Sequence, residues 1–182
     1  MIIFLIGAAA VIILWIVIVY NLFIKDRNLI KEAWSGIDVQ LKRRHDLIPR
    51  LVETVKAYSS YERKLFNEIT EKRSRTAQSK NIQDKAKTEN DISGMLKSLF
   101  AVVEDYPDLK ANVNFLDLQN QLIEVENQLQ YSRRYYNGTV RSYNIRVESF
   151  PSNVVARICN FKTEEFFEIS LATERKSPTV SI

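Results

Sequence analysis

The sequence predicts an all-α protein in which one N-terminal transmembrane helix precedes an antiparallel bundle of about four long helices. Three observations support this prediction. The first 24 residues contain no Asp, Glu, Lys or Arg. Beyond them, apolar residues recur at spacings of three and four, which is typical of one buried helix face. The chain of 182 residues has only four Gly and four Pro, too few for the regular turns of a sandwich or barrel.

The apolar stretch from Ile2 to Ile24 is interrupted only by Asn21 and is long enough to cross about 30 Å of hydrocarbon as a helix. A secretory signal peptide is the alternative. It is disfavoured because a basic N-terminal region is missing and the small residues 7–10 precede the most apolar part. We therefore expect an uncleaved anchor at 1–24, a helical bundle at 25–162 and a C-terminal tail at 163–182 that is extended or disordered.

Basic residues next to the span predict its orientation. Lys25, Arg27 and Lys31 follow the apolar stretch and none precedes it. The positive-inside rule then predicts a single-pass protein of the bacterial cytoplasmic (inner) membrane, with its N-terminus outside and its C-terminal domain cytoplasmic. The same three cations are the candidates for contact with anionic lipid headgroups.

The first amphipathic pattern alternates spacings of four and three, as in the a/d seam of a coiled coil. Arg44 and Glu62 occupy seam positions, where a charge is either paired with a polar partner or displaced toward solvent. Pro49 predicts a kink or break near residues 46–48, after which Asp46 could cap a restarted helix. The apolar seam residues are Ile30, Trp34, Ile37, Leu41, Ile48, Leu51, Val55, Tyr58, Leu65 and Ile69.

Later segments predict further helices. The polar stretch 73–90 indicates a loop followed by the solvated start of a second helix, which ends near Asp105. The third helix has the clearest pattern, from Phe115 to Val147, and would run roughly 50 Å. Pro151 begins a short fourth helix. The apolar face predicted for this fourth helix consists of Val154, Val155, Ile158 and Phe161.

The run AWSGIDVQLKRRHDLIP at 33–49, continued by LVETVKAY at 51–58, closely resembles the signature of the bacterial LemA family. The segments YPDLKAN at 106–112 and FPSN at 150–153 are similar to the same family, and Arg50 stands where many relatives have Asn. The resemblance implies a membrane anchor followed by an antiparallel bundle of about four helices, without an established biochemical activity. The motif residues that we expect to be structural are Trp34, Arg44, Asp46, Pro49, Glu126, Asn137 and Asn144.

Residues that could carry chemistry are sparse. His45 is the only histidine, so neither a two-histidine zinc site nor a di-iron bundle can be built. Cys159, the only cysteine, is expected to fill core space. The isolated glycines do not form a nucleotide-binding loop. We expect no catalytic, cofactor-binding or metal site, hence no cofactor and no enzymatic activity. An enzyme with an unrecognised site is the alternative.

The expected function is therefore that of a membrane-anchored scaffold or adaptor. Its expected partners are other membrane or cytosolic proteins and the lipid bilayer, and a homo-oligomer stays open. Tyr131 and Tyr135 are candidate partner contacts, because tyrosine is enriched at interfaces. Alternatively they are ordinary surface residues, while Tyr136 and Tyr143 face the core.

Nucleic-acid binding is a further alternative, carried by arginines on the third helix. The net charge of +4 is mild, and arginines are common on solvated helix faces, so this function is not favoured. The residues concerned are Arg133, Arg134, Arg141 and Arg146.

Overall fold

The structure, a computed structural model, describes residues 1–57, 63–78 and 82–167. This part of the chain contains helices and no strand, so the predicted all-α class is confirmed. Backbone contacts group the chain into two compact units, unit 1 (Met1–Leu41 and Asn127–Phe166) and unit 2 (Lys42–Glu126 and Phe167–Ile182). The helices are α1 (Ile2–Lys56), α2 (Arg63–Gln78), α3 (Ile82–Val103), α4 (Pro107–Lys110), α5 (Val113–Glu148) and α6 (Ser152–Ile158).

Helix α1 begins with the apolar stretch, whose side chains are mostly exposed. Within the described residues, α1 is the one helix long and apolar enough to cross a membrane. It continues through Pro49, so of the predicted kink or break the break is wrong. The exposed Asp46 lies inside the helix and does not cap a restarted one. Ile48 and Leu51 on either side of Pro49 are buried. Their packing offsets the cost of about 3 kcal/mol for an internal proline.

Two predicted boundaries need correction. Helix α1 ends at Lys56 and α2 begins at Arg63, so the seam that ends at Ile69 is carried by two helices; Tyr58 and Glu62 lie outside the described residues. The polar stretch 73–90 is not mainly a loop, because α2 reaches Gln78 and α3 begins at Ile82. The end of α3 at Val103 and the extent of α5 agree with the predictions.

The interior of unit 1 is partly aromatic. Phe23 is fully buried, with Phe161 stacked at 4.6 Å and Tyr143 edge-on at 6.0 Å between ring centroids. Trp34 is only half-buried, and its ring meets the buried Tyr136 edge-on at 5.5 Å. The seam residue Trp34 therefore contacts α5, but its burial is incomplete.

Unit 2 has an aliphatic core, which fits the helical spacing of its sequence. Phe100 and Phe115 contribute an edge-on ring pair with centroids 6.3 Å apart. Buried side chains of α1, α3 and α5 form most of this core, with Leu109 of α4. The members that are at most 1% exposed are Ile48, Leu51, Val55, Ile69, Ile92, Leu99, Leu109, Phe115 and Val125.

Only part of the apolar face predicted for α6 is buried. Val155 and Ala156 are buried, as is Phe161 beyond the helix, whereas Val154 and Ile158 are exposed. Cys159 is also exposed, so its predicted place in the core is wrong. A helix of seven residues can turn only a narrow face inward, and Val155 with Ala156 occupies it. The tail is non-helical from 163 to 167, and residues 168–182 lie outside the described part.

Candidate functional site

An ionic cluster lies inside unit 2, and Arg44 is at its centre. Arg44 is 1% exposed, although it carries a full positive charge. Its Nη1 lies 3.3 Å from Oε2 of Glu89, a residue with no exposed surface. Its Nη2 donates to Ser93 Oγ at 2.8 Å and lies 3.4 Å from Glu126 Oε2. Two carboxylates and one hydroxyl thus surround a single guanidinium.

His45 extends this cluster toward the surface. Its Nε2 lies 2.8 Å from Glu89 Oε1, so the two oxygens of Glu89 contact two consecutive residues of α1. His45 is mostly buried, whereas Glu126 is about one third exposed. Solvent exposure within the cluster therefore increases from the buried pair Arg44 and Glu89 to Glu126 at its edge.

Helical periodicity explains how the cluster assembles. Glu89 and Ser93 are four residues apart on α3 and share one face. Glu126 projects from α5, next to the buried Val125. Sequence reasoning singled out Arg44 and Glu126 but missed Glu89 and Ser93. Extending the pattern of Ile92, Leu96 and Leu99 three residues backward places Glu89 in a seam, which is the signal that was overlooked.

The charged groups of this cluster are paired with one another. Glu89 and Glu126 both face Arg44. Among the described residues, no group of three or more His, Cys, Asp or Glu is placed to hold a metal ion. Removing one partner of a buried pair leaves an uncompensated charge and typically costs about 3 to 5 kcal/mol. The cluster is thus suited to fix the register of α1, α3 and α5 within unit 2.

A second group of polar contacts fixes the tail to α5 in unit 1. The Asn144 side chain accepts a hydrogen bond from the Glu164 amide and donates one to the Glu164 carbonyl, both at 2.9 Å. The Tyr136 hydroxyl donates to the Glu165 carbonyl at 3.0 Å. Burial raises the pKa of Tyr136 to about 12, with a further contribution from the nearby charges of Glu164 and Glu165. Burial also raises the pKa of Tyr143.

The tyrosines of α5 divide between core and surface. Tyr136 and Tyr143 are buried, whereas Tyr131 and Tyr135 are more than half exposed. The Arg134 guanidinium lies 4.6 Å from the Tyr131 ring centroid, in a cation–π contact. Tyr135 borders a groove of about 450 Å³ that Asp26 and Leu29 of α1 also line.

Four further residues singled out in the sequence lie on α1 and α5. Lys25, Arg27 and Lys31 are exposed on α1, and Asn137 is half-buried on α5.

The arginines of α5 do not form one exposed basic face. Arg133 is buried, and Arg146 donates to Asp26 Oδ2 at 2.7 Å, while Arg134 and Arg141 are exposed.

These features define a class: an all-α protein with one N-terminal helix long and apolar enough to cross a membrane, and with a buried arginine–carboxylate cluster. Residues 33–182 match the sequence profile of the LemA family, and the chain belongs to this family. The resemblance found in the sequence is thereby confirmed.

Three relatives illustrate the similarity. Protein LemA of Metamycoplasma hominis is 28% identical over 154 residues, which cover 82% of this chain and 69% of the relative. Magnetosome protein MamQ 2 of Paramagnetospirillum magneticum is 25% identical over 175 residues, covering 82% and 64% of the two chains. Magnetosome protein MamQ of Magnetospirillum gryphiswaldense is 21% identical over 174 residues, covering 81% and 64%. This chain spans less than two thirds of the length of either magnetosome protein.

Proposed function

We propose that this LemA family protein is a membrane-anchored scaffold or adaptor that acts by binding other proteins. In this proposal its apolar helix crosses the bacterial cytoplasmic membrane once, with the N-terminus outside and the folded part in the cytoplasm. The observation that carries the proposal is the continuity of α1: the exposed apolar stretch and the buried contacts of Phe23 and Ile30 belong to the same helix. Similarity to two magnetosome proteins is compatible with a role at a membrane.

The scaffold in this proposal is an antiparallel helical bundle. Contacts within unit 1 support that arrangement, because Phe23 meets Tyr143 and the later residue Trp34 meets the earlier residue Tyr136. Residue numbers thus rise along α1 where they fall along α5. Packing between the two helices would give the rigid surface that a binding scaffold requires.

The partner surface in this proposal is the exposed face of α5 at Tyr131 and Tyr135. Both rings combine apolar area with a hydroxyl at the tip, the composition enriched in protein interfaces. The groove beside Tyr135 offers a concave site for a partner side chain. Arg134 stiffens the surface by covering the Tyr131 ring, which lowers the entropy lost on binding.

Photocrosslinking in intact cells tests the binding role. A photoreactive phenylalanine analogue replaces Tyr131 or Tyr135 in the full chain, and Val39, an exposed residue of α1 in the same unit, serves as the matched control position. We expect one discrete product at the two tyrosines and none at position 39. A product with twice the mass of the chain would identify a second copy as the partner. Absence of any product at both tyrosines would contradict this partner surface.

The anchor is tested separately by extracting cell membranes with alkaline carbonate. We expect the full chain to stay in the membrane pellet, because a spanning helix is not released by high pH or salt. A variant with Leu14→Arg, Val17→Arg and Ile18→Arg should shift to the soluble fraction, since each central arginine disfavours insertion by about 2.5 to 3.5 kcal/mol. Recovery of the unmodified chain in the supernatant would overturn the anchor.

A further inference from the structure

Unit 1 exposes an apolar stripe where α5 ends and α6 begins. Phe150, Val154 and Ile158 are 83%, 48% and 75% exposed and lie four residues apart. Val154 and Ile158 lie on one side of α6, since positions i and i+4 share a helix face, and Phe150 lies in the turn that precedes this helix. Val155 and Ala156 are buried instead. Helix α6 therefore packs one face on the rest of unit 1, and its other apolar face has no partner in the described residues.

The segment that follows α6 packs on the apolar stretch of α1. Phe161, three residues beyond α6, packs on Tyr20 and Phe23, with centroid distances of 5.6 and 4.6 Å. Val19 is only 7% exposed, whereas its neighbours Val17 and Ile18 are about half exposed. Because a helix rises 1.5 Å per residue, Val19 lies about 7 Å inside the stretch that ends at Ile24. Other segments of unit 1 therefore cover α1 within its apolar part.

Basic side chains border the same surface. Arg157 on α6 and Lys162 beyond it are exposed. Long basic side chains can bury their methylene stems in the headgroup region while the charged ends reach phosphate or water. Phe at the tip of a loop and aliphatic residues on a short helix, bordered by basic residues, match the composition of helices that lie in a membrane surface.

We propose that α6 and Phe150 insert into the surface of the bilayer that α1 crosses and form a second, interfacial membrane contact. The inference rests on the proposed anchor, because the contacts of Phe161 with Tyr20 and Phe23 bring α6 to the membrane only if residues 2–24 span it. Insertion to a depth of about 5 to 10 Å below the headgroups would cover all three side chains. It would hold unit 1 against the membrane by two contacts instead of one.

Spin labelling of the full chain in vesicles of phosphatidylcholine and phosphatidylglycerol tests this contact. In a Cys159→Ser background, which removes the only native thiol, a nitroxide is attached at Phe150→Cys, Val154→Cys or Ile158→Cys. Leu14→Cys provides the lipid reference, and Val39→Cys provides a water-exposed apolar reference on the same helix. The measurement compares collisions of each label with oxygen, which concentrates in lipid, and with a water-soluble nickel chelate.

We expect the oxygen-to-nickel collision ratio at 150, 154 and 158 to exceed the ratio at 39 several-fold and to stay below the ratio at 14. Ratios equal to that at 39, with a lipid value at 14, would overturn the interfacial contact and leave the anchor intact. A water-like value at 14 would overturn both proposals. Labels at all three stripe positions that are shielded from both reagents would show a protein partner or a second copy on the stripe, which also contradicts the lipid contact.

Discussion

Arg44 shows how a charged residue can hold a core position. A guanidinium in the centre of a helical unit loses its hydration, and its attraction to carboxylates must offset that loss. The guanidinium is compensated by ion pairs with Glu89 and Glu126 and by a hydrogen bond to Ser93. The sequence reveals that Arg44 lies in a seam, but its main partner is 45 residues away on another helix. The spacing of residues within one helix does not identify a partner on another helix.

Removing the guanidinium should destabilise the protein strongly. Arg44→Met is expected to lower the free energy of unfolding by about 3 kcal/mol, because Glu89 loses its guanidinium partner in a fully buried site. Thermal unfolding of the full chain in mild detergent, followed by circular dichroism, measures the change. Arg50→Met on the exposed side of the same helix is the matched control and should stay within about 0.5 kcal/mol.

The double variant Arg44→Met with Glu89→Met distinguishes an uncompensated charge from a simple packing loss. Replacing both members by apolar side chains should recover part of the stability lost in Arg44→Met. A double variant that is less stable than Arg44→Met would contradict this explanation of the cluster.

Incomplete burial sets the expected contribution of Trp34. Truncation of a fully buried Trp costs about 3 to 5 kcal/mol, but the Trp34 side chain is only half-buried. We therefore expect Trp34→Ala to cost about 2 kcal/mol, part of it from the edge-on contact with Tyr136. A double-mutant cycle with Trp34→Leu and Tyr136→Leu should give a coupling energy of about 0.5 to 1.5 kcal/mol. A midpoint unchanged by Trp34→Ala would instead identify the indole as a recognition surface.

The raised pKa of Tyr136 predicts a loss of stability in alkali. The folded protein holds the phenolic proton more tightly, with a pKa of about 12 against 10.0 for the ordinary group. The contribution is therefore complete below pH 10 and disappears as the pH rises from 10 to 12, because the unfolded chain releases this proton first. Unfolding by denaturant at a series of pH values measures the slope. Tyr136→Phe should have a shallower slope over this interval, and identical slopes in the two proteins would refute the assignment.

At the scale of elements, uninterrupted helical spacing was sufficient to predict α5, whose seam runs from Phe115 to Val147 within the observed Val113–Glu148. Prediction failed where local signals compete with packing. Pro49 is a helix breaker by composition, yet buried neighbours keep α1 intact. The stretch 73–90 has too few apolar residues to show a pattern, because a buried ion pair supplies one of its core positions at Glu89.

The short elements were the least predictable for a related reason. Both faces of α6 are apolar, so the sequence alone does not decide whether Val154 or Val155 turns inward. The decision depends on Phe161 and the contacts that its ring makes on α1. Cys159 is exposed together with Val154 and Ile158. Such assignments require the packed structure, since propensity and spacing are equal for the two faces.

The segment after α6 should depend on Asn144. Asn144→Leu keeps the side-chain shape but removes both hydrogen bonds to Glu164, each worth about 1 kcal/mol. We expect the amide of Glu164 to exchange with solvent deuterium about ten times faster or more. Hydrogen–deuterium exchange with mass spectrometry measures the effect. Asn127→Leu, on the exposed face of the same helix, is the control, and equal exchange in both variants would show that the tail is held elsewhere.

At the scale of the whole molecule, charge distribution predicts membrane orientation. All basic residues near the apolar stretch follow it, and Lys25, Arg27 and Lys31 are exposed on α1. We expect a reporter fused after Ile182 to be cytoplasmic. Replacing the three cations by Gln and inserting three Lys after Met1 should move the reporter of a large fraction of molecules to the other side. Paired fusions to alkaline phosphatase and to a fluorescent protein measure the distribution.

The position of the cations, more than their number, should govern this orientation. Arg43→Gln, Arg50→Gln and Lys56→Gln also remove three positive charges from α1, but these residues lie about 19 to 32 positions beyond the apolar stretch, at or past the range over which basic residues orient a span. This control variant should keep its reporter in the cytoplasm. A periplasmic reporter on the unmodified chain would reverse the topology and with it the expectation of cytosolic partners. An equal response to both triple substitutions would show that total charge, and not the juxtamembrane cations, decides the orientation.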